Sequence, residues 1–337
     1  MRVGIYQDLR DPPRWKRGWS ANAGAALERI EAAEQAGIGA VWCTEHHFFD
    51  DGYLPQALTW CAAVAARTNR VAIGTAIVVA PLHDPLEIAE QAAVVDQLSG
   101  GRLQLGLGAG YVRREFAAFG ADRARRFELT DTCLTELRRL FDQGIITPGP
   151  LQKELPLWFG GSGPRGARLA GRHGAGLLWV DPDLLAPYQQ GLKAAGRSAA
   201  DARMAGIASL ILSRDPERAW SALTPHIRYQ RESYDHSALA KTPEARMAEV
   251  LENDGKVERS RVRSVLPRIY DAVTPDEAVR RVTTWIGDLP VTDVFFWDSI
   301  AGMPDDLVDE HLELLATDVA PRLRGLGKAP LPPALER

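Results

Sequence analysis

The 337-residue chain is poor in cysteine: Cys43, Cys61 and Cys133 are an odd number and lack metal-ligand spacing. That excludes a disulfide framework and a thiolate metal centre, and free thiols in a reducing cytoplasm are expected. No apolar run is long enough to cross a bilayer. Met1 leads straight into a strand-like segment rather than a signal peptide. Positive charge is not in excess, with 40 Lys and Arg against 44 Asp and Glu and a net charge of −4. No basic field therefore invites nucleic acid or an acidic membrane surface. Internal repeats and low-complexity tracts are absent too. What is present is 45% hydrophobic and 25% charged residues, enough for a large buried core.

The centre of the pattern is Val71–Gly120. Val71–Val79 is an apolar, β-branched run, as in a strand covered on both faces. Pro81 and Pro85 break it, Ile88–Leu98 carries apolar residues at helical spacing, and Gly100 and Gly101 stop that helix. Leu103–Leu107 is a second buried strand, which runs into Gly106, Gly108 and Gly110. The same alternation fills the chain. Strands are predicted at Arg2–Tyr6, Gly39–Thr44, Leu157–Phe159, Gly176–Val180, Ala205–Leu212 and Asp293–Trp297, with helices between them. Eight strands, each followed by a helix, predict an α/β fold: a single (β/α)8 TIM barrel over residues 1–327. An open doubly wound sheet has the same periodicity. Residues from about Pro216 to Tyr270 form a mostly helical insertion before the last strand, and 328–337 are a loose Pro-rich tail.

Three clusters fall where strands end and loops begin, the working face of a barrel. Glu45-His46-His47 follows strand two. Strand alternation sends the two imidazoles to opposite sides, so one can serve as proton donor or acceptor. Two structural histidines bonded to loop carbonyls is the competing reading. A metal site with Asp50 and Asp51 is disfavoured, because metal-dependent barrels present His-x-His on one face, and no metal is expected. Gly106-Leu107-Gly108-Ala109-Gly110 lets a flat ligand approach the backbone, or makes a tight turn. It lacks the spacing of a dinucleotide fingerprint. Gly160-Gly161-Ser162-Gly163, with Arg165 and Arg168 behind it, opens a helix and offers free N–H groups, a hydroxyl and cations to an anion. A capped helix start accounts for the same residues.

Several further blocks occur in order: Trp42 to Phe48, Gly74-Thr75-Ala76, Pro81 to Pro85, Ala89-Glu90-Gln91, Asp96 to Arg102, and Gly106 to Gly120. With them the chain resembles the bacterial luciferase-like flavin-dependent family, from about Ala33 to Arg126 and again over Pro156–Gly176. The resemblance implies a barrel that binds a flavin at the C-terminal ends of its strands. It makes His46 the catalytic residue facing the ring. Thr75 and the Ala76–Ile77 peptide, often cis in the family, would lie behind the flavin, with Gly108 and Ala109 beside it. Gly160, Gly161, Ser162 and Gly163 would take its phosphate. Light-emitting members have a cysteine and an arginine where this chain has Gly108 and Ala109. Light emission is therefore not expected, and the phosphate charge must come from Arg165, Arg113 or Arg114.

The leading function is a monooxygenase that uses reduced FMN, supplied by a separate flavin reductase, and O2 to oxidise a small organic substrate. The protein then has to exclude water and position that substrate, with Trp42, Phe48, Phe49 and Tyr111 as apolar walls. A deazaflavin-dependent hydride-transfer enzyme on the same barrel is the alternative, and Glu45-His46-His47 in place of that branch's Asp-His pair favours FMN. A non-catalytic flavin-binding subunit is a third reading. A metal-dependent barrel hydrolase stands a distant fourth. Tyr229, Tyr234 and His236 of the insertion would form a lid or pack its helices. The family's barrels usually pair, so a homodimer is expected.

Overall fold

A computed structural model describes residues 1–238 and 270–330. In chain order the strands are β1 Arg2–Gln7, β2 Ala40–Cys43, β3 Ala72–Thr75, β4 Val78–Val79, β5 Leu103–Gly108, β6 Leu157–Gly160, β7 Gly176–Leu177, β8 Met204–Ala208, β9 Leu210–Leu212, β10 Asp271–Val273 and β11 Val291–Trp297. The main helices are α1 Trp19–Gln35, α2 Ala57–Arg67, α3 Pro85–Ser99, α4 Arg113–Phe119, α5 Arg126–Asp142, α6 Pro164–Arg172, α7 Pro182–Ala194, α8 Pro216–Ala238, α9 Pro275–Ile286, α10 Asp305–Leu314 and α11 Ala320–Leu323. All barrel pairings are parallel, in the order β3-β2-β1-β11-β8-β7-β6-β5-β4, and β3 also pairs with β5. That last pairing closes the sheet into the expected (β/α)8 barrel and disposes of the open-sheet alternative. No helix among the described residues is long and apolar enough to cross a membrane.

Strand alternation divides the apolar residues into two sets. Val3, Ile5, Val41, Ile73, Leu103, Leu105, Leu107, Phe159 and Phe296 face outward into the shared core under the helices. Ala40, Trp42, Ala72, Trp158, Leu178, Ala205 and Phe295 fill the barrel itself. Each large inward ring stands in register with a glycine on a neighbouring strand: Trp42 with Gly74, Trp158 with Gly106 and Gly176, Phe295 with Gly4. A Cβ at Gly74 would collide with the Trp42 indole, and one at Gly176 with Trp158. The two indoles meet edge to face with centroids 5.7 Å apart, a favourable quadrupole arrangement.

The predicted strand Val71–Val79 is interrupted: β3 stops at Thr75, the Ala76–Ile77 peptide is cis, and β4 resumes at Val78. The predicted seventh strand also divides, at Ser209. Its first half stays in the barrel, while Leu210–Leu212 leaves it to pair with β10. The closing helix, expected as one piece from Pro304 to Leu323, contains a π-turn at Leu315–Val319. Pro321 has no N–H to give to the preceding turn, and the helix widens just before it. Pro216–Ala238 of the expected insertion is helical, as the composition suggests. Residues 239–269 and 331–337 lie outside the described residues, and so does the His236 side chain.

His311 ties α10 to two strands: it accepts from the Leu212 N–H at 2.9 Å and donates to the Trp297 carbonyl at 2.9 Å. Burial pulls its imidazole down to about 4, against the raising effect of the Trp297 bond. An exposed histidine titrates near 6.5, so the unfolded chain takes up the proton first as pH falls. The stability His311 contributes is therefore complete above about pH 6.5 and lost on the way down to about pH 4. Urea unfolding free energies measured at pH 7 and pH 5 are expected to fall by about 2 kcal/mol through this group. That part of the pH slope should be absent from His311→Gln.

Candidate active site

Beyond Cys43 the chain turns across the barrel mouth, and Thr44, Glu45 and His46 reach a cavity of 440 Å³. Ala76, Ile77, Gly108, Ala109, Gly160, Gly161 and Ser162 line the same cavity. The imidazole and the glycine-rich turn, predicted from separate stretches of sequence, are thus brought to one chamber. Its size lies within the range of roughly 300–1,000 Å³ usual for cofactor and substrate sites.

Its floor is Ile77. The Tyr6 hydroxyl donates to the Ala76 carbonyl at 2.7 Å, and the Ala76 N–H donates to the Cys43 carbonyl at 2.6 Å, so the peptide is fixed from two neighbouring strands. The Ile77 side chain rises between two glycines. A Cβ at Gly108 would lie 2.7 Å from Ile77 Cγ1, and one at Gly160 would lie 2.6 Å from its Cγ2. These glycines are needed for space rather than for a left-handed backbone.

His46 is buried, with Nδ1 2.9 Å from Glu115 Oε1 and Nε2 3.3 Å from the Tyr111 hydroxyl. Glu115 Oε1 also accepts the His47 N–H at 2.8 Å. An acceptor at Nδ1 fixes the tautomer, so that the other ring nitrogen is the one offered to the cavity. Phe49, Tyr53 and Tyr234 pack around the imidazole with centroids 5.0, 4.9 and 5.8 Å away. Glu115 was not singled out in the sequence, where it sits in an ordinary charged segment. The available signal was periodicity: Val112, Glu115, Phe116 and Phe119 share a helical stripe, and an acid on an apolar stripe asks for a partner.

His47 points the other way. It and His83 both hydrogen-bond Glu45 Oε1, at 2.9 and 2.8 Å. Burial works to raise the Glu45 carboxyl, but the bonds from His47 and His83 outweigh it and hold it below the usual carboxylate range. Burial likewise works to lower His83, and its bond to Glu45 carries it above the ordinary histidine value. Oxygen and ring nitrogens of the three residues lie within 4.8 Å of one another. The bonds on Glu45 account for this grouping as an ion-paired network. Asp50 is exposed and Asp51 pairs with Arg10, so neither joins the histidines.

Some expected residues stand elsewhere. The Thr75 hydroxyl donates to the Gly106 carbonyl and accepts its N–H, both at 2.8 Å, and belongs to the barrel wall. Gly163 is the N-cap of α6. Arg165 is exposed, its guanidinium 4.5 Å from the Phe127 ring. Arg113 is exposed, and Arg114 stacks on Phe49 at 5.0 Å. Among the described residues the arginine in the cavity wall is Arg126, which the sequence did not single out; its guanidinium lies 4.9 Å from the ring of Phe127, which lines the same cavity. Trp42 plugs the barrel below the cavity, and Phe48 is 55% exposed. Tyr111 does line the chamber, and Tyr234 reaches it from α8.

A parallel barrel whose strand ends bring the Glu115-paired His46 to a chamber with a glycine-rich turn has the layout of a small-molecule site. The chain belongs to the luciferase-like monooxygenase family, whose model matches residues 3–288. It is 30% identical to 4-hydroxyprotoasukamycin monooxygenase of Streptomyces nodosus subsp. asukaensis over 89% of this chain and 86% of that one. It is 27% identical to an F420-dependent glucose-6-phosphate dehydrogenase of Amycolatopsis mediterranei over 89% and 95%. The match to protein y4vJ of Sinorhizobium fredii, at 33% identity, is shorter and spans 39% of this chain and 37% of that one. The fold superposes on monooxygenase RslO1 from Streptomyces bottropensis with a TM-score of 0.77 at 21% identity, covering 95% and 99% of the two chains. The family's chemistry is oxidoreduction.

Adding one methyl at the floor tests this geometry. Gly108→Ala is expected to lower the unfolding free energy by about 1–3 kcal/mol, the usual cost of overpacking. Gly108→Ala combined with Ile77→Ala should recover part of the loss, because the second change removes the colliding atoms. Urea denaturation of the three proteins checks both.

Proposed function

We propose that this barrel is a flavin-dependent monooxygenase that takes reduced FMN from a separate reductase and oxidises a small organic substrate with O2. The observation that carries the reading is one 440 Å³ chamber joining His46 to the Gly160–Ser162 turn, with Ile77 as floor between two glycines. Those features fit a planar ring with an anionic tail. Gly108 and Gly160 make room for Ile77, whose side chain offers an apolar floor to a flat ligand. Ser162 and the backbone of the turn supply donors at the start of α6, and Arg126 supplies the charge missing at Ala109. When bound, reduced FMN would supply the electrons that activate O2. The protein's own work is to keep that space dry and to manage protons. Tyr6, Leu178, Ile207 and Phe295 present apolar surface to the chamber. His46, held through Nδ1 by Glu115, presents Nε2 as the proton donor or acceptor.

A deazaflavin-dependent hydride transfer is the second reading, favoured by the similarity to the F420-dependent glucose-6-phosphate dehydrogenase. A homodimer belongs to the same proposal. Leu86, Val94 and Leu98, exposed at helical spacing on α3, support it.

Anaerobic titration of the protein with reduced FMN and, separately, with F420 tests the choice of cofactor. FMN is expected to bind at micromolar concentration and F420 not to bind; the reverse result overturns the proposal. Arg126→Met should weaken FMN binding about tenfold, as expected for loss of a charge-assisted contact. His46→Ala should leave FMN affinity unchanged and cut kcat by about 10²–10⁴.

A further inference from the structure

Arg10 takes no part in the chemistry described above, yet its guanidinium is buried among the groups that surround His46. It leaves the end of β1 and points under the loop that follows β2. The guanidinium carbon lies 4.5 Å from the Tyr53 ring centroid, 4.7 Å from Tyr234 and 5.2 Å from Phe49. Its Nη1 donates to the Ser233 hydroxyl. Asp8 Oδ2 lies 3.3 Å from Nε, and Asp51 Oδ2 lies 3.4 Å from Nη1. Tyr229 in turn donates to Asp51 at 3.2 Å, and the Tyr53 and Tyr234 hydroxyls bond each other at 2.8 Å. One cation thus joins three pieces of chain that are far apart in sequence: the loop after β1, the loop after β2, and α8.

The rings that Arg10 faces are the rings that pack on His46. Phe49, Tyr53 and Tyr234 each touch both groups, and Tyr53 and Tyr234 also line the 440 Å³ chamber. Tyr53 and Phe49 further line an outer, open apolar pocket of 510 Å³. Tyr53 therefore separates two spaces, and the cation against its ring helps keep it there. A planar, delocalised cation can lie against several aromatic rings while its edge meets two carboxylates, which an ammonium cannot do.

We propose that Arg10 is a positioning residue that sets the substrate side of the chamber by holding Tyr53 and Tyr234 against the His46 imidazole. This rests on the reading of that chamber as the place of reaction. Arg10 acts through the rings and touches neither substrate nor cofactor. α8 is then a wall of the site whose place depends on a charge in the first loop of the chain.

The test uses the full-length protein with Arg10→Lys, Tyr234→Leu and the double variant. Arg10→Lys keeps the positive charge between Asp8 and Asp51, so the fold retains its ion pairs. The first readout is the NMR signal of the His46 ring, assigned with His46→Gln, because the surrounding rings of Phe49, Tyr53, Tyr111 and Tyr234 fix its ring-current shift. Arg10→Lys is expected to move that signal. In turnover with reduced FMN, Arg10→Lys and Tyr234→Leu should each raise the substrate KM about tenfold, with kcat and FMN affinity within about threefold. The double variant should be no worse than Tyr234→Leu alone, since the two changes break one device. An unmoved His46 signal in Arg10→Lys, or KM factors that multiply in the double variant, overturns the proposal. Absence of wild-type turnover with reduced FMN counts against the monooxygenase reading instead, and the NMR comparison still decides the role of Arg10.

Discussion

A barrel of eight parallel strands can hold few large side chains, and this one is filled by rings set against glycines. Trp42, Trp158 and Phe295 each stand in register with a position that has no side chain. The constraint works in both directions. A larger residue at Gly74 or Gly176 would expel an indole, and a smaller one at Trp42 or Trp158 would leave a void under the cavity floor. Everything above that layer is positioned by it: the Tyr6 hydroxyl on the Ala76 carbonyl, Ile77 between its glycines, and the chamber they bound.

The charged groups at the mouth are nearly all committed to one another. Glu115 holds His46, Glu45 holds His47 and His83, and Arg10 lies with Asp8 and Asp51. Burial pushes the Asp8 carboxyl up to about 7 in spite of the Arg10 charge beside it. Such arrangements are costly to desolvate and are kept where geometry matters more than stability. Here they surround one histidine. The two neighbouring imidazoles of Glu45-His46-His47 end in different networks, each with its own carboxylate, although both stand on the loop beyond β2 and not on the strand itself.

Much of the fold was legible because periodicity and glycine stops are local. All eight barrel strands overlap the segments predicted for them, with ends displaced by a residue or a few. The errors came where tertiary demands overrode the local pattern. Val71–Val79 reads as one strand and is two; Ala205–Leu212 reads as one and leaves the barrel halfway; Pro321 interrupts what reads as a continuous helix. In the site, the groups contributed by strand ends were legible. Those contributed by loops and outer helices were not: Glu115 and Arg126 carry ordinary surface-type side chains, and the burial of the one and the half-buried place of the other in the cavity wall follow from packing that no short window records. Thr75, named from its motif, has its hydroxyl bonded to the Gly106 backbone, a pairing across strands that its own segment does not record.

The joint where the barrel closes is made of unlike parts. β3 and β5 share two registered pairs, Ile73 with Leu103 and Gly74 with Gln104. The Thr75 hydroxyl then bridges to Gly106, and β4 takes over at Val78 and Val79. Ile77 projects from that same joint into the chamber. A guest molecule resting on Ile77 would therefore brace the hoop at its thinnest rivet, and occupancy of the pocket and resistance to heat would rise together.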